Sequence, residues 1–211
     1  MKPLNSKTKV KRSPKRGLYD SESIHSILDD DFVCHVGFVH DGYPVVIPTL
    51  YGRHNEHLYL HGATSSRMMV GIENKPISVS VTIVDGLVLA RSAFHHSMNY
   101  RSVVLFGKPE KVSDSEKEYA LEMISEHMLA GRWADSRKPN AKELKATTVL
   151  KLAIDEASAK VRTGPPSDER EDYKLPIWAG TVPVKRQFSQ PIVDESGVKS
   201  LPTPPYIEAL L

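Results

Sequence analysis

Tight-turn signals separate the apolar stretches in the first half of this 211-residue chain and leave little room for crossover helices. Asp41-Gly42 stands between two runs rich in β-branched and aromatic residues, 31–39 and 43–51. Asp-Gly between such runs is a strong hairpin signal. Asn55-Glu56 and Asp85-Gly86 mark two further turns. Strands joined by short turns pair antiparallel, so the sequence predicts a mainly β fold rather than a doubly wound α/β sheet.

The strands themselves are recognised by alternation of apolar and polar residues. Between residues 77 and 83, isoleucines and valines occupy every second position and Ser or Thr the others. About six strands of this kind, with a few helices between them, predict a six-stranded antiparallel barrel, closed or half-closed. The other predicted strands are 31–39, 43–51, 57–60, 100–112 and 149–154, and the predicted helices are 20–28, 66–74, 114–129 and 140–147.

Composition limits the class of protein. Hydrophobic residues make up 40% of the chain and charged residues 26%, which predicts a packed core. Cys34 is the only cysteine, so an internal disulfide and a cysteine-rich zinc site are excluded. The adjacent His95 and His96 would point to opposite faces of a strand, and we expect no metal site. Without a long apolar run or a signal segment, we expect no membrane contact and a cytoplasmic location.

The two ends of the chain differ from its middle. Residues 1–16 carry seven lysines and arginines and no acid, which predicts a solvated basic arm over 1–17. RNA, anionic lipid or an acidic partner face are alternative contacts for it, but the net charge of only +2 makes nucleic acid an unlikely partner. Residues 185–211 are rich in proline and predict an arm that packs on the surface or stays mobile. The main domain is therefore expected over 18–184.

A phosphate site is predicted where the strand at 57–60 ends. His61-Gly62 follows the strand, and a hydroxyl-rich turn then leads to Ser65, Ser66 and Arg67 at the start of a helix. Glycine allows close backbone approach, and a helix N-terminus with serine hydroxyls and a guanidinium suits an anion. The alternative is an ordinary capped helix with Arg67 in solvent.

A second polar cluster, residues 95–102, comes directly before a buried strand. Arg101 in this cluster is expected to pair with either a phosphate or a carboxylate.

Several segments together resemble one known family. LYLHGATSSRMM (58–69) and FHHSMNYRSVVLFGKPEKV (94–112) are similar to the flavin-binding split-barrel family related to pyridoxamine 5'-phosphate oxidase, in its nitroimidazole-resistance-like branch. KVKRSPKRGLYD, EASAKVRTGPP and LPIWAG also match that branch, so the resemblance covers roughly residues 9–184.

The resemblance implies a six-stranded split barrel that forms a homodimer with FMN in a groove between the subunits. It assigns five groups of residues to the cofactor. They are Pro48, Thr49, Leu50 and Tyr51 beside the isoalloxazine ring; His61 and Gly62 in the same groove; Ser65, Ser66 and Arg67 at the phosphate; Asn99, Tyr100, Arg101 and Ser102 nearby, from the same chain or its partner; and Trp178 over the ring from the partner subunit.

The resemblance also implies the activity of an FMN-dependent oxidoreductase that acts on an unknown small molecule. His61 is the residue expected to face the substrate, with a purely structural histidine as the alternative. Oxidation of pyridoxamine phosphate is not expected, because the Arg-x-His motif of those oxidases is missing after Trp178. The alternative function is a non-catalytic, dimeric flavin- or haem-binding module. The corresponding structural alternatives are that Thr49 and Tyr51 simply favour strand conformation and that Trp178 anchors the core.

Overall fold

The computed structural model describes residues 4–194, 196–197 and 201–211. In these residues ten strands form one antiparallel sheet, in the order β1-β9-β6-β5-β2-β3-β4-β8-β7, and β10 pairs with β5 beside β2. The strands are β1 (Gly17–Leu18), β2 (Val33–His40), β3 (Tyr43–His54), β4 (His57–Ala63), β5 (Ile77–Leu89), β6 (Ser97–Gly107), β7 (Glu110–Lys111), β8 (Thr147–Ala153), β9 (Ala157–Arg162) and β10 (Gly180–Pro183). The α-helices are α1 (Ser21–Asp29), α2 (Arg67–Ile72), α3 (Asp114–Met128), α4 (Ala141–Ala146) and α5 (Pro205–Glu208).

The predicted antiparallel β fold is confirmed, but the predicted count of six strands is wrong. β1, β7 and β10 have only two to four residues. Strands this short show too little alternation to be recognised in the sequence, and each is defined by its pairing with a neighbouring strand. β9 was missed because small residues at positions 157–159 blur its alternation.

The predicted turns have two different outcomes. Asp41 and Gly42 have φ values of 50° and 80° and join β2 to β3, and Asn55 has a φ of 50° between β3 and β4. The predicted turn at Asp85-Gly86 is wrong, because β5 continues through it. The dipeptide instead forms an irregularity in the pairing with β6, and Gly86 lets the backbone of β10 approach closely.

The core lies inside the folded sheet and is closed by α1. Asp20 caps this helix, because its carboxylate accepts a hydrogen bond from the Ser23 backbone N–H at 2.8 Å. The helix buries Ile24, Ile27 and Leu28 against the sheet. A second, smaller cluster lies under α3 and contains Tyr59, Val112, Ala120, Ile124 and Val149.

Both ends of the chain pack on this sheet. In the N-terminal arm, Thr8 is only 3% exposed, and the backbone N–H of Val10 donates to the Tyr19 hydroxyl at 3.0 Å. The arm thus touches the rest of the chain at Thr8 and Val10 and through the ion pair of Lys7 with Glu156, while Lys9, Lys11, Arg12 and Lys15 stay exposed. None of the helices in the described residues is long and apolar enough to span a bilayer.

The C-terminal segment packs on the surface, which was one of the two predicted alternatives. β10 pairs with residues 86–89 of β5. Beyond it, the Arg186 guanidinium lies 2.9 Å from the Asp31 carboxylate and 5.3 Å from the centre of the Phe32 ring. Farther along, the Tyr206 hydroxyl donates to the Asp135 carboxylate at 2.7 Å.

Candidate functional site

The predicted phosphate site is a tight turn between β4 and α2. The backbone N–H of Ser66 donates to the Ala63 carbonyl at 2.8 Å, and that of Thr64 donates to the Ala146 carbonyl at 2.9 Å. Ser66 occupies the N-cap position of α2, but its hydroxyl makes no capping hydrogen bond. Ser65 and Arg67 are exposed, and the Arg67 guanidinium forms no ion pair within the described part of the chain. The turn therefore presents unused donors.

Gly62 and His61 lie at the end of β4, beside this turn. A Cβ at position 62 would lie 2.9 Å from Cγ of Met69, so a larger residue there would force the Met69 side chain to shift. His61 is half-buried, and its Nδ1 atom is buried without a hydrogen-bond partner. Burial lowers the pKa of His61, so its imidazole is neutral at pH 7. A neutral ring with an unused nitrogen can accept a proton or bind a ligand atom.

Pro48, Thr49, Leu50 and Tyr51 lie on β3, the strand next to β4. Pro48 is exposed, while Thr49 and Leu50 are half-buried. Tyr51 is fully buried, and its hydroxyl donates to the Leu28 carbonyl at 2.6 Å. The Tyr51 side chain is therefore part of the core and does not face a cofactor.

Arg101 is held by carboxylates of its own chain. Its Nε and Nη2 atoms donate to Asp85 at 3.0 and 2.8 Å, and its Nη1 atom donates to Asp30 at 2.6 Å. The hydrogen bonds that Arg101 donates to Asp85 and Asp30 raise the pKa of its guanidinium. Of the two partners expected from the sequence, the carboxylate is therefore the one present.

The neighbours of Arg101 also join β6 to β9. Asn99 accepts a hydrogen bond from Arg162 and donates to the Gly164 carbonyl at 3.1 Å. The Ser102 hydroxyl donates to the Lys160 carbonyl at 3.3 Å, and Tyr100 is half-buried. In the sheet, β5, β2 and β3 separate this group from β4. The chain therefore places residues 48–51 and 61–63 on neighbouring strands, whereas residues 99–102 lie on a strand that pairs with neither of these two.

Trp178 is not a core anchor. It is 65% exposed and lies in a segment whose other large apolar side chains are also exposed, among them Leu175 and Ile177. Its ring lies beside Gly180, and the Cζ2 atom is 3.0 Å from the position that a Cβ on that residue would take. This exposure leaves the indole free to contact another molecule.

A buried ion pair near the second polar cluster was missed by the sequence analysis. The Asp168 side chain has no exposed area and accepts hydrogen bonds from the backbone N–H groups of Arg91 and Ser92 at 2.9 and 3.1 Å. These bonds and the Arg91 guanidinium lower the pKa of Asp168 against the opposing effect of burial. Arg91 also lies over the ring of Tyr173 at 5.0 Å. The two partners are 77 residues apart, and no local pattern connects them.

The outer face of the sheet is apolar and exposed. On this face Val39 of β2 and Val46 of β3 are each more than 60% exposed. A depression of about 440 Å³ lies beside them, bordered by Gly37 and Phe106 among others. Such a patch on a folded chain is typical of a surface that another molecule covers.

Comparison with known proteins identifies the family to which the chain belongs. Residues 20–161 match the family model of pyridoxamine 5'-phosphate oxidase. No curated protein matches the chain. Among solved structures, the flavocytochrome Anf3 from Azotobacter vinelandii is 38% identical, with a TM-score of 0.93 over 98% of this chain and 97% of that one.

Two further structures are similar. The FAD- and haem-binding protein from Mycobacterium smegmatis is 36% identical, with a TM-score of 0.89 over 92% of this chain and 97% of the other. A protein assigned to 5-nitroimidazole antibiotic resistance in Bacteroides thetaiotaomicron is 26% identical, with a TM-score of 0.57 over 69% of this chain and 86% of that one. The chain therefore belongs to the pyridoxamine 5'-phosphate oxidase family of flavin-binding split-barrel proteins.

Proposed function

We propose that this chain binds a flavin nucleotide, with a flavin phosphate at Ser65, Ser66 and Arg67, and acts as an oxidoreductase on a small molecule. The observation that carries the proposal is similarity along almost the whole chain to two proteins whose names state a flavin or a flavocytochrome. A bound flavin supplies hydride or electron transfer, and the protein supplies position and environment.

The residues present fit the phosphate of a flavin. The Ser66 hydroxyl makes no N-cap hydrogen bond, and Arg67 has no carboxylate partner in the described residues. A planar guanidinium with an adjacent hydroxyl binds phosphate through charge-assisted hydrogen bonds. FMN, expected from the family resemblance, and FAD, named for the mycobacterial relative, both carry a phosphate on the ribityl chain. Chromatography of the flavin released from purified protein distinguishes the two.

The neutral imidazole of His61 is the proposed proton-handling group. Its buried Nδ1 atom lacks a partner, and its position at the end of β4 is next to the proposed phosphate site. Burial keeps the ring unprotonated at neutral pH, so it is ready to accept a proton from a substrate.

A visible absorption spectrum tests flavin binding directly. We expect purified protein to be yellow and Arg67→Gln to weaken flavin binding at least about tenfold, the value of one lost charge-assisted contact. Lys75→Gln is the matched control, since Lys75 is exposed just beyond the other end of α2. Colourless protein that ignores added flavin, or equal losses in both variants, would refute the phosphate site.

A homodimer is part of the proposal, because the exposed apolar face of β2 and β3 needs a cover. We propose that a second copy of the chain covers this face. The exposed Trp178 of each copy would then be able to contact the flavin site of the other. We expect Val46→Glu to convert a dimer into monomers in light-scattering chromatography and to lower flavin content. Val193→Glu, at a similarly exposed valine in the C-terminal segment, should leave the dimer intact. A monomeric wild-type protein would disprove this part.

Haem is a second candidate cofactor, favoured by the same outer face. Both similar proteins named above carry it by title, as a flavocytochrome or a haem-binding protein. His35 projects from this face between Pro48 and Ser80, is exposed, and has no hydrogen-bond partner in the described residues. A porphyrin requires an apolar surface and an imidazole for its iron, and this face offers both.

The haem candidate is tested by the Soret band of protein expressed with added haem precursor. We expect His35→Gln to lose the band while flavin remains, and His57→Gln on β4 to keep both. Retention of haem in His35→Gln would exclude this ligand. A protein with bound cofactors that no nicotinamide donor reduces under anaerobic conditions would favour the non-catalytic alternative.

A further inference from the structure

A basic cavity of about 590 Å³ lies where the N-terminal arm meets the sheet, away from the proposed flavin phosphate site. The turn Pro14–Arg16, the start of β6 and the end of β9 surround it. β5, β2 and β3 separate β6 from β4 in the sheet, so within one chain the cavity is distinct from the turn at 64–67. Five lining side chains carry or can carry a positive charge: Arg12, Arg16, His95, His96 and Arg162.

Arg162 is the unusual member of this group. The residue is only 8% exposed, yet all its hydrogen bonds go to neutral oxygens: the Asn99 side chain and the carbonyls of Gly164 and Pro165. Its Nε atom is buried without any partner. A buried guanidinium normally has a carboxylate beside it, because an unpaired charge in a low-dielectric environment is costly. In the described residues none is present.

Other positive charges add to the imbalance instead of relieving it. Burial and the nearby charge of Arg16 both lower the pKa of Arg162. Arg16 is half-buried, and neither it nor Arg12 forms an ion pair with the described residues. The fold therefore holds like charges at one cavity without a counterion of its own.

The two acids in the cavity lining are engaged elsewhere. Asp168 is fully paired with Arg91 and with backbone N–H groups. Glu169 is largely exposed and lies 3.8 Å from His95, on the rim. Neither contacts Arg162 or Arg16, so the positive surplus at the cavity remains.

We propose that this cavity binds an oxyanion, a phosphate or carboxylate group, with Arg162 and Arg16 as its main ligands. The guanidinium fork suits two oxygens of such a group, and the bound charge supplies the counterion that the chain lacks. The oxyanion has two conceivable sources with the same chemistry: a free small molecule, or an anionic group of a bound cofactor. The proposal does not depend on the assignment of Ser65, Ser66 and Arg67.

Equilibrium dialysis with radiolabelled inorganic phosphate tests the proposal, at constant ionic strength set with sodium chloride. We expect saturable binding of about one phosphate per chain in protein freed of cofactor, because one buried guanidinium defines the site. Arg16→Gln should weaken this binding about tenfold or more through loss of a charge-assisted contact, with Arg12→Gln as a second variant. Lys15→Gln is the matched control: Lys15 is the exposed neighbour of Arg16 and does not line the cavity.

The same measurement on protein as purified identifies the source of the oxyanion. If phosphate binds equally before and after cofactor removal, the site takes a free anion. If it binds only after removal, and Arg16→Gln also retains less cofactor, the site takes the cofactor's own anionic group. Absence of saturable binding in both forms, or an equal loss in Arg16→Gln and Lys15→Gln, would overturn the proposal, since diffuse surface charge would then account for any phosphate uptake.

Discussion

Replacement of Gly52 by alanine tests how closely α3 packs on β3, next to its pairing with β4. An added Cβ would lie 2.5 Å from Cα and 2.8 Å from N of Ile124, and 2.9 Å from the carbonyl oxygen of Met123. Carbon atoms that are not bonded prefer separations of about 3.5–4.0 Å, so the overlap is roughly 1 Å. All three contacts are backbone atoms, and no change of rotamer relieves them. α3 must therefore move away from the strand.

The cost follows from what that movement loosens. α3 buries Ala120 and Ile124 in the cluster with Tyr59 and Val149. Overpacking typically costs about 1–3 kcal/mol, and partial loss of the Ile124 contacts adds to it, so we expect a loss of about 3 kcal/mol in the free energy of unfolding. With a urea m-value of about 2–3 kcal/mol/M, the unfolding midpoint should fall by about 1 M.

Gly71→Ala provides the control for this experiment. There the new Cβ would meet a side chain, the Phe38 ring at 3.3 Å, which can shift slightly, and alanine gains about 1 kcal/mol of helix propensity in α2. We expect a change within about 1 kcal/mol. Urea unfolding by circular dichroism compares the variants at equal cofactor occupancy, because bound ligand stabilises the native state. Equal midpoints for Gly52→Ala and wild type, with the same m-value, would refute the close approach.

Three further predictions follow from buried polar groups. Tyr51→Phe should cost about 1–2 kcal/mol of unfolding free energy, because the Leu28 carbonyl loses its donor at 2.6 Å; an unchanged urea midpoint would contradict this. Burial raises the pKa of the Cys34 thiol to about 12, so a thiol reagent at pH 8 should label the protein only after unfolding, and rapid labelling of folded protein would show the thiol is open. Burial lowers the pKa values of His61 and His127, so the unfolded chain takes up protons first, and stability should fall as the pH drops below about 6.5. The fall in urea midpoint between pH 7 and 5.5 should be smaller in His127→Gln, and an identical fall would assign it to other groups.

The sequence predicted those features of the fold that local residues decide. Asp41, Gly42 and Asn55 accept positive φ values readily, so their turns were readable without tertiary information. Asp85-Gly86 carries the same signal, yet pairing with β6 on one side and β10 on the other extends the strand through it. Non-local pairing thus outweighed a local turn preference.

The candidate site divides in the same way. Ser66 and Arg67 lie at a strand-to-helix transition that a dozen residues of sequence make recognisable. In the structure, the Ser66 hydroxyl makes no capping hydrogen bond and the Arg67 guanidinium forms no ion pair with the described residues. The sequence left open whether Arg101 would meet a phosphate or a carboxylate, since its partners Asp85 and Asp30 are 16 and 71 residues away. The sequence around Asp30 and Asp31 does not indicate that they pair with Arg101 and Arg186.

The placement of β10 has a consequence for shortened forms of the protein. It occupies the edge of β5 beyond the point where β2 stops, and the Val184 backbone N–H extends the contact to the Asp85 carbonyl at 3.0 Å. A chain that ends before Gly180 would leave unpaired backbone N–H and C=O groups on this edge of β5, beside the exposed apolar Leu87. Strands from other copies could then pair with this edge, so truncation should yield insoluble assemblies in place of a smaller folded protein.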